Sequence, residues 1–194
     1  ARQVEANRAQ AKDACGDCEH APSWVVGDGA DIVALFAQWR DARGLASSVR
    51  ADCLLTCPPY FDLECYGGDA RQDLSMMAYS EFVDAYTRIL ASATSLLNHQ
   101  CVAVVVVGNV RSSTGELRDL HSLTKAALAQ AGNPLYVDAV LSTALASAPQ
   151  RAGRQMSAAS KLVGVHQSVV VTCKGMVLDA KACARLGIRP GASG

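Results

Sequence analysis

The stretch Ala51-Asp-Cys-Leu-Leu-Thr-Cys57-Pro58-Pro59-Tyr60-Phe-Asp-Leu-Glu-Cys-Tyr-Gly-Gly68 is where an apolar run stops against a rigid turn. Cys53 to Thr56 is short, apolar and bounded by a proline pair, which predicts a buried parallel strand whose carboxyl end opens into a loop. Ligands of open α/β sheets bind at such ends. Pro58 and Pro59 fix two φ angles and have no N–H to donate, so their carbonyls can be held outward, and Tyr60 sets a flat ring beside them. The turn suits a planar substrate.

Working outward, Arg2 to Ala14 is rich in Ala, Gln, Glu and Arg and predicts an exposed helix ending by Gly16. Trp24 to Gly27 predicts a short strand and Gly27-Asp28-Gly29 the turn after it. Asp28 there either caps the helix that begins near Ile32 or accepts bonds from a ligand. Ile32, Leu35, Phe36 and Trp39 recur at helical spacing and predict a core-facing stripe. Phe61 to Tyr79 carries Asp62, Glu64, Asp69 and Asp73 against Arg71 alone, and reads as a solvated loop. Phe82, Tyr86, Ile89, Ala93, Leu96 and Leu97 mark a long amphipathic helix started by Ser80. Cys101 to Val107 is uninterruptedly apolar, as a central strand covered on both faces would be, and Gly108-Asn109 ends it. Leu120 to Ala131 predicts a helix capped by Gly132, and Leu135–Leu141 and Ser168–Cys173 two more strands. Alternation of strand and helix predicts a parallel-type α/β sheet with an antiparallel edge late in the chain.

At 194 residues, half of them hydrophobic, the chain can bury the core of one domain. Lys plus Arg equals Asp plus Glu at 18 each, so no global field draws it to nucleic acid and any such binding must come from a local patch. One exists: from Ala139 to Leu178 there is no Asp or Glu, while Arg151, Arg154, Lys161, His166 and Lys174 fall inside. Ser147 to Val165 reads as a long loop, either a phosphate-contacting element or a basic loop without a role. The eight cysteines, several in apolar runs, read as reduced thiols of a cytoplasmic protein, and no run is long enough to span a bilayer. Cys15-Gly-Asp-Cys18 with His20 has half the spacing of a zinc site and no second pair, so no metal is assigned.

Thr56-Cys57-Pro58-Pro59-Tyr60 resembles the Asp/Asn/Ser-Pro-Pro-aromatic motif of the DNA amino-methyltransferases, which methylate the exocyclic amine of adenine or cytosine with S-adenosylmethionine. Three further stretches extend the likeness: Trp24-Val-Val-Gly27-Asp28, Cys101 to Gly108, and His166 to Gly175. Their order is similar to that in a phage and bacterial family assigned as adenine-specific, whose motif reads Ser or Thr followed by Cys-Pro-Pro-Tyr. The resemblance implies a Rossmann-like α/β methyltransferase sheet flanked by helices over 1–175, with 176–194 as a carboxyl tail. It further implies DNA as partner, Cys57, Pro58, Pro59 and Tyr60 at the reacting base, and Gly27, Asp28 and Thr56 near the cofactor. Arg151, Arg154, Lys161 and His166 would then lie on DNA.

Two departures matter. The acceptor position usually held by Asp, Asn or Ser is Cys57, whose thiol is a weak acceptor. No Gly-rich turn of the Phe-x-Gly-x-Gly type occurs. Arg2 to Gln10 resembles the helix after the family's second strand, so the sheet is expected to be incomplete on its N-terminal side, its first two strands and cofactor loop supplied by a missing segment or a second chain; the family's other arrangement, with the cofactor motif last, would put the loss at the carboxyl end. A catalytically inactive DNA-binding or interaction module keeping the same fold stands as the alternative. Cys-Pro also echoes, in reversed order, the Pro-Cys motif of the cytosine-carbon methyltransferases, where a thiolate attacks the ring.

Overall fold

The computed structural model describes residues 2–15, 22–63, 73–112, 114–142, 150, 153–154, 156–157, 166–175, 179–185 and 187. The chain divides into two compact units, Ala1–Val49 and Arg50–Gly194.

The first unit holds helix α1 (Arg2–Cys15), a 3-10 turn (Gly29–Asp31) and helix α2 (Ile32–Asp41). The expected strand at Trp24–Gly27 is absent: residues 22–26 have no regular structure, and Val25 and Val26 are 50 % and 62 % exposed. A strand needs a neighbour for its N–H and C=O groups, and this unit has no other strand among its described residues. The apolar stripe of α2 is half-buried rather than core. The Phe36 and Trp39 rings lie 5.4 Å apart within it, and the Trp39 indole donates to Ser23 Oγ at 2.9 Å.

The second unit is built on a four-stranded sheet in the order β1 (Ala51–Thr56), β2 (Leu97–Val107), β6 (His166–Cys173), β5 (Leu135–Ser142). β1 and β2 are parallel, with Thr56 opposite Val105, while β6 runs antiparallel to both β2 and β5. The late antiparallel strand is therefore interior and not at the edge. Helix α3 (Tyr79–Ser95) connects β1 to β2, and α4 (Leu120–Gln130) precedes β5; between β2 and α4 lies a short hairpin of β3 (Val110–Arg111) and β4 (Leu117–Arg118). Helix α5 (Ala180–Arg185) falls in the stretch expected as a tail, and its Ala182 is buried with Cys173 of β6.

The main core lies on one face of this sheet. Phe82, Tyr86 and Leu90 of α3 and Leu120, Ala127 and Leu128 of α4 meet Val105 and Val107 of β2 and Val170 of β6. Tyr86 and Thr124 join the helices by a hydroxyl pair at 2.7 Å, so the phenol's polar tip is satisfied where its ring is dry. Helix ends follow local chemistry: Asp119 accepts from Ser122 N at 3.1 Å to start α4, and Gly132, at φ 77°, ends it. α3 begins one residue before Ser80, with the Glu81 carboxylate accepting from Ala78 N at 3.1 Å.

Two expectations about strand burial are corrected. β2 is central, but within Cys101–Val107 only Cys101, Ala103, Val105 and Val107 are buried; Val102, Val104 and Val106, on the other face, are half-buried. β1 is the end strand of the order, so Leu55 is 69 % exposed and Cys53 is exposed, while Leu54 packs on Leu97, Cys101 and Ala103.

Candidate functional site

Four strand ends converge on one edge of the sheet. β1 and β2 finish there at Thr56 and Val107, β5 finishes at Ser142, and β6 begins at His166, paired with Ser142. The turn Cys57–Tyr60 leaves β1 on this edge, and Gly108-Asn109 leaves β2 beside it.

Cys57 is exposed as a free thiol, and Pro58, Pro59 and Tyr60 are half-buried. The turn is anchored by the residue after it. Phe61 sits at φ 55°, a left-handed conformation unusual for a residue with a side chain, and is nevertheless buried, its ring 5.2 Å from Tyr79 and 5.3 Å from Phe82 in edge-on contact. Such strain persists only where packing over-determines it. With Phe61 pinned in the core, Tyr60 is directed along the sheet edge, where its hydroxyl oxygen accepts from Gln167 Nε2. Gly108 makes room for the ring: a Cβ there would stand 3.3 Å from Tyr60 Cε2.

Polar contacts tie the neighbouring elements together, while Arg118 Nε is buried without a partner among the described residues. Asn109 Oδ1 accepts from His121 N at 3.0 Å, tying the end of β2 to the start of α4. His121 and Lys125 converge on Asp138 at 2.7 and 3.0 Å, and these bonds, His121's first, hold the Asp138 carboxyl below its ordinary range. In the hairpin, the Arg118 guanidinium lies 4.1 Å over the Tyr79 ring and 3.0 Å from Glu116, while Arg111 donates to Gly115 O at 2.9 Å. Burial raises the Tyr86 phenol to about 12.

The residues singled out from the sequence separate as follows. Thr56, Cys57, Pro58, Pro59 and Tyr60 come together at the sheet edge, and exposed His166 opens β6 there. Gly27 and Asp28 lie in the first unit: a Cβ at Gly27 would overlap the Leu35 side chain, and Asp28 Oδ1 accepts from Ala30 N at 2.9 Å, capping the 3-10 turn and not α2, whose N-cap is Asp31. Arg154 is exposed on helical backbone, so the stretch is not loop throughout; Arg151 and Lys161 lie outside the described residues. So do Cys18 and His20, and no group of three metal-ligating side chains occurs among the described residues. Phe61 to Tyr79 is not simply a solvated loop: Phe61 and Ser75 are buried and Asp73 caps a 3-10 turn, whereas 64–72 fall outside the described residues. Gln167 and Phe61 escaped sequence reasoning. A polar side chain at the head of an otherwise apolar strand was the available signal for the first.

A parallel β1–β2 pair whose third neighbour is reversed, with helices packed on it and a turn at the carboxyl ends of its strands, is a mixed, Rossmann-like α/β sheet. Among solved structures, the chain is similar to TTHA0409 of Thermus thermophilus, inferred to be a DNA modification methylase. The likeness is 15 % identity at a TM-score of 0.52 over 79 % of this chain and 54 % of that one. Against the same protein complexed with S-adenosyl-L-methionine the figures are 16 %, 0.53, 79 % and 56 %. An M1.HpyAVI–SAM complex matches at 13 % and a TM-score of 0.43, over 78 % of this chain and 52 % of that one. The chain thus spans about half the length of these structures. No family model and no curated protein matches its sequence. No helix among the described residues is long and apolar enough to cross a membrane.

Proposed function

We propose that the chain forms the substrate side of a DNA amino-methyltransferase, acting on the exocyclic amine of a flipped base, with adenine preferred over cytosine. The observation that carries this reading is a juxtaposition. The Cys57-Pro58-Pro59-Tyr60 turn occupies the same sheet edge as Ser142 and His166, between which runs the acid-free segment with Arg151, Arg154 and Lys161. A base site and a phosphate-binding surface would then be neighbours.

An exocyclic amine is a poor nucleophile because its lone pair is delocalised into the ring. Acceptors that take both amine hydrogens favour a pyramidal nitrogen with a localised lone pair. The Pro58 carbonyl supplies one acceptor and Cys57 Sγ the other, while Tyr60 offers its ring to the face of the extruded base. S-adenosylmethionine, when bound, supplies the electrophilic methyl group. Of the residues assigned to it by resemblance, Gly27 and Asp28 lie in the first unit and Thr56 closes β1 in the second; the Gly-rich cradle is not in this sequence.

The test is expression of the protein at its full natural length, followed by mass spectrometry of nucleosides from DNA exposed to it with the cofactor. N6-methyladenine is expected. N4-methylcytosine alone would keep the mechanism and change the base. DNA binding with no methylated nucleoside would identify an inactive module, the reading that the weak acceptor Cys57 favours.

A further inference from the structure

We infer that Gln167 is a positioning residue for Tyr60: its side-chain amide, fixed on β6, sets the angle of the ring that receives the base. This rests on the amino-methyltransferase reading above and adds to it a residue that neither the sequence motif nor the fold assigns.

Tyr60 lies in a turn, and a turn residue with an exposed face ordinarily swings between rotamers. Three contacts remove that freedom. Its chain neighbour Phe61 is locked in the core at φ 55°. Its ring passes against Gly108, where any side chain would crowd Cε2. Its tip is held by Gln167, 107 residues away in sequence, through Nε2 donating to the phenol oxygen. Gly108 lies along one edge of the ring from Cδ2 to Cζ, and Gln167 holds the hydroxyl beyond it. The anchor is itself rigid, because Gln167 is paired with Leu141 of β5 and the next residue, Ser168, with both Val140 of β5 and Val107 of β2. Stacking needs a defined plane, and a displacement of about 1 Å in a positioned group can lower a rate by about a hundredfold. The bond therefore conveys the geometry of the sheet interior to the turn that lacks ladder bonds of its own. Its polarity matters as well: the amide donates and the phenol oxygen accepts, so a carboxylate in place of the amide keeps the link only if the phenol donates instead.

The experiment measures methyl transfer by the full-length protein with S-adenosylmethionine and DNA for wild type, Gln167→Leu, Gln167→Glu, Tyr60→Phe and the Gln167→Leu/Tyr60→Phe pair. Loss of one hydrogen bond at the ring predicts that Gln167→Leu and Tyr60→Phe each lower kcat about tenfold. The KM for DNA should stay within about twofold, since phosphate contacts dominate affinity. The double variant should be no slower than either single one, and Gln167→Glu should restore most of the rate. A merely structural role for Gln167 would instead lower the rate only in proportion to the folded fraction seen by circular dichroism, so that kcat per folded molecule stays at the wild-type value, and the two substitutions would multiply. If Gln167→Leu does not fold, Tyr60→Phe, which deletes only the hydroxyl, decides the matter: a wild-type kcat there overturns the inference. A wild-type rate in Gln167→Leu overturns it as well, and in both cases the methyltransferase reading stands. If the wild type itself transfers no methyl group, both fall together.

Discussion

Phe61 combines two demands that ordinarily exclude each other, a buried aromatic side chain and a left-handed backbone, and substitution there separates them. Phe61→Ala removes a ring that touches Tyr79 and Phe82 and leaves a cavity, at a cost of about 3 to 5 kcal/mol for a buried phenylalanine. The backbone at φ 55° is kept, together with the Cβ that makes it unfavourable. Phe61→Gly leaves the same cavity but removes the Cβ and with it a left-handed penalty of about 1 to 2 kcal/mol. At ordinary positions glycine is worse than alanine by about 0.5 to 1 kcal/mol through chain entropy. Here the two terms oppose, and the Cβ term is the larger, so Phe61→Gly should be as stable as Phe61→Ala or up to about 1.5 kcal/mol more stable. Urea denaturation followed by far-ultraviolet circular dichroism would measure all three proteins. A loss below about 1 kcal/mol in Phe61→Ala would show that the ring is not in the core. A glycine variant less stable than the alanine variant by about 1 kcal/mol would show that the left-handed turn is wrong, and with it the anchoring of Tyr60.

Three further outcomes are expected. Tyr86 keeps its proton to about pH 12 in the folded protein against 10.0 for an ordinary phenol, so its contribution is whole below pH 10 and lost as pH rises towards 12. That loss is about 3 kcal/mol, and it should be missing from Tyr86→Phe, which instead gives up about 1 kcal/mol at neutral pH with the Thr124 hydrogen bond; parallel alkaline losses in guanidinium unfolding would contradict the assignment. In the full-length protein Cys57→Ser replaces a weak acceptor by a better one and should keep or raise the methylation rate, and Tyr60→Ala should weaken base binding by about 1 to 3 kcal/mol; abolished activity in Cys57→Ser, with an adduct trapped on a fluorinated cytosine, would point to a covalent thiolate mechanism. Replacing Arg151, Arg154 and Lys161 by Gln should flatten the dependence of log K on log salt by about 2 to 3 and weaken specific and unrelated duplexes alike, whereas an unchanged slope places the phosphate contacts elsewhere.

What could be read from the sequence follows from how locally each feature is determined. The Pro58-Pro59 stop, the apolar run Cys101–Val107 and the stripe of α3 each carry their signal within one element, and each element forms. The central placement of β6 depends on which strand reverses relative to which, and hydrophobic pattern is blind to direction; it could only suggest an antiparallel strand at an edge. Trp24–Gly27 and Leu55 show the same blindness to neighbours, since an apolar residue reads alike whether or not a strand lies beside it. The site divides along the same line. Cys57 to Tyr60 are contiguous and were legible, but the residues that hold them are not: Phe61 looked like the first residue of an acidic loop, and Gln167 like a polar start to a strand. Both act through tertiary contact, one downward into the aromatic cluster of α3 and one across the sheet edge from β6. Because Tyr60 is held from one side by the core and from the other by β6, the turn is not an ornament that a compatible sequence could carry anywhere. It has its geometry only when β1, β2 and β6 are assembled in this order, so the placement of Tyr60 depends on the whole sheet edge and not on the motif alone.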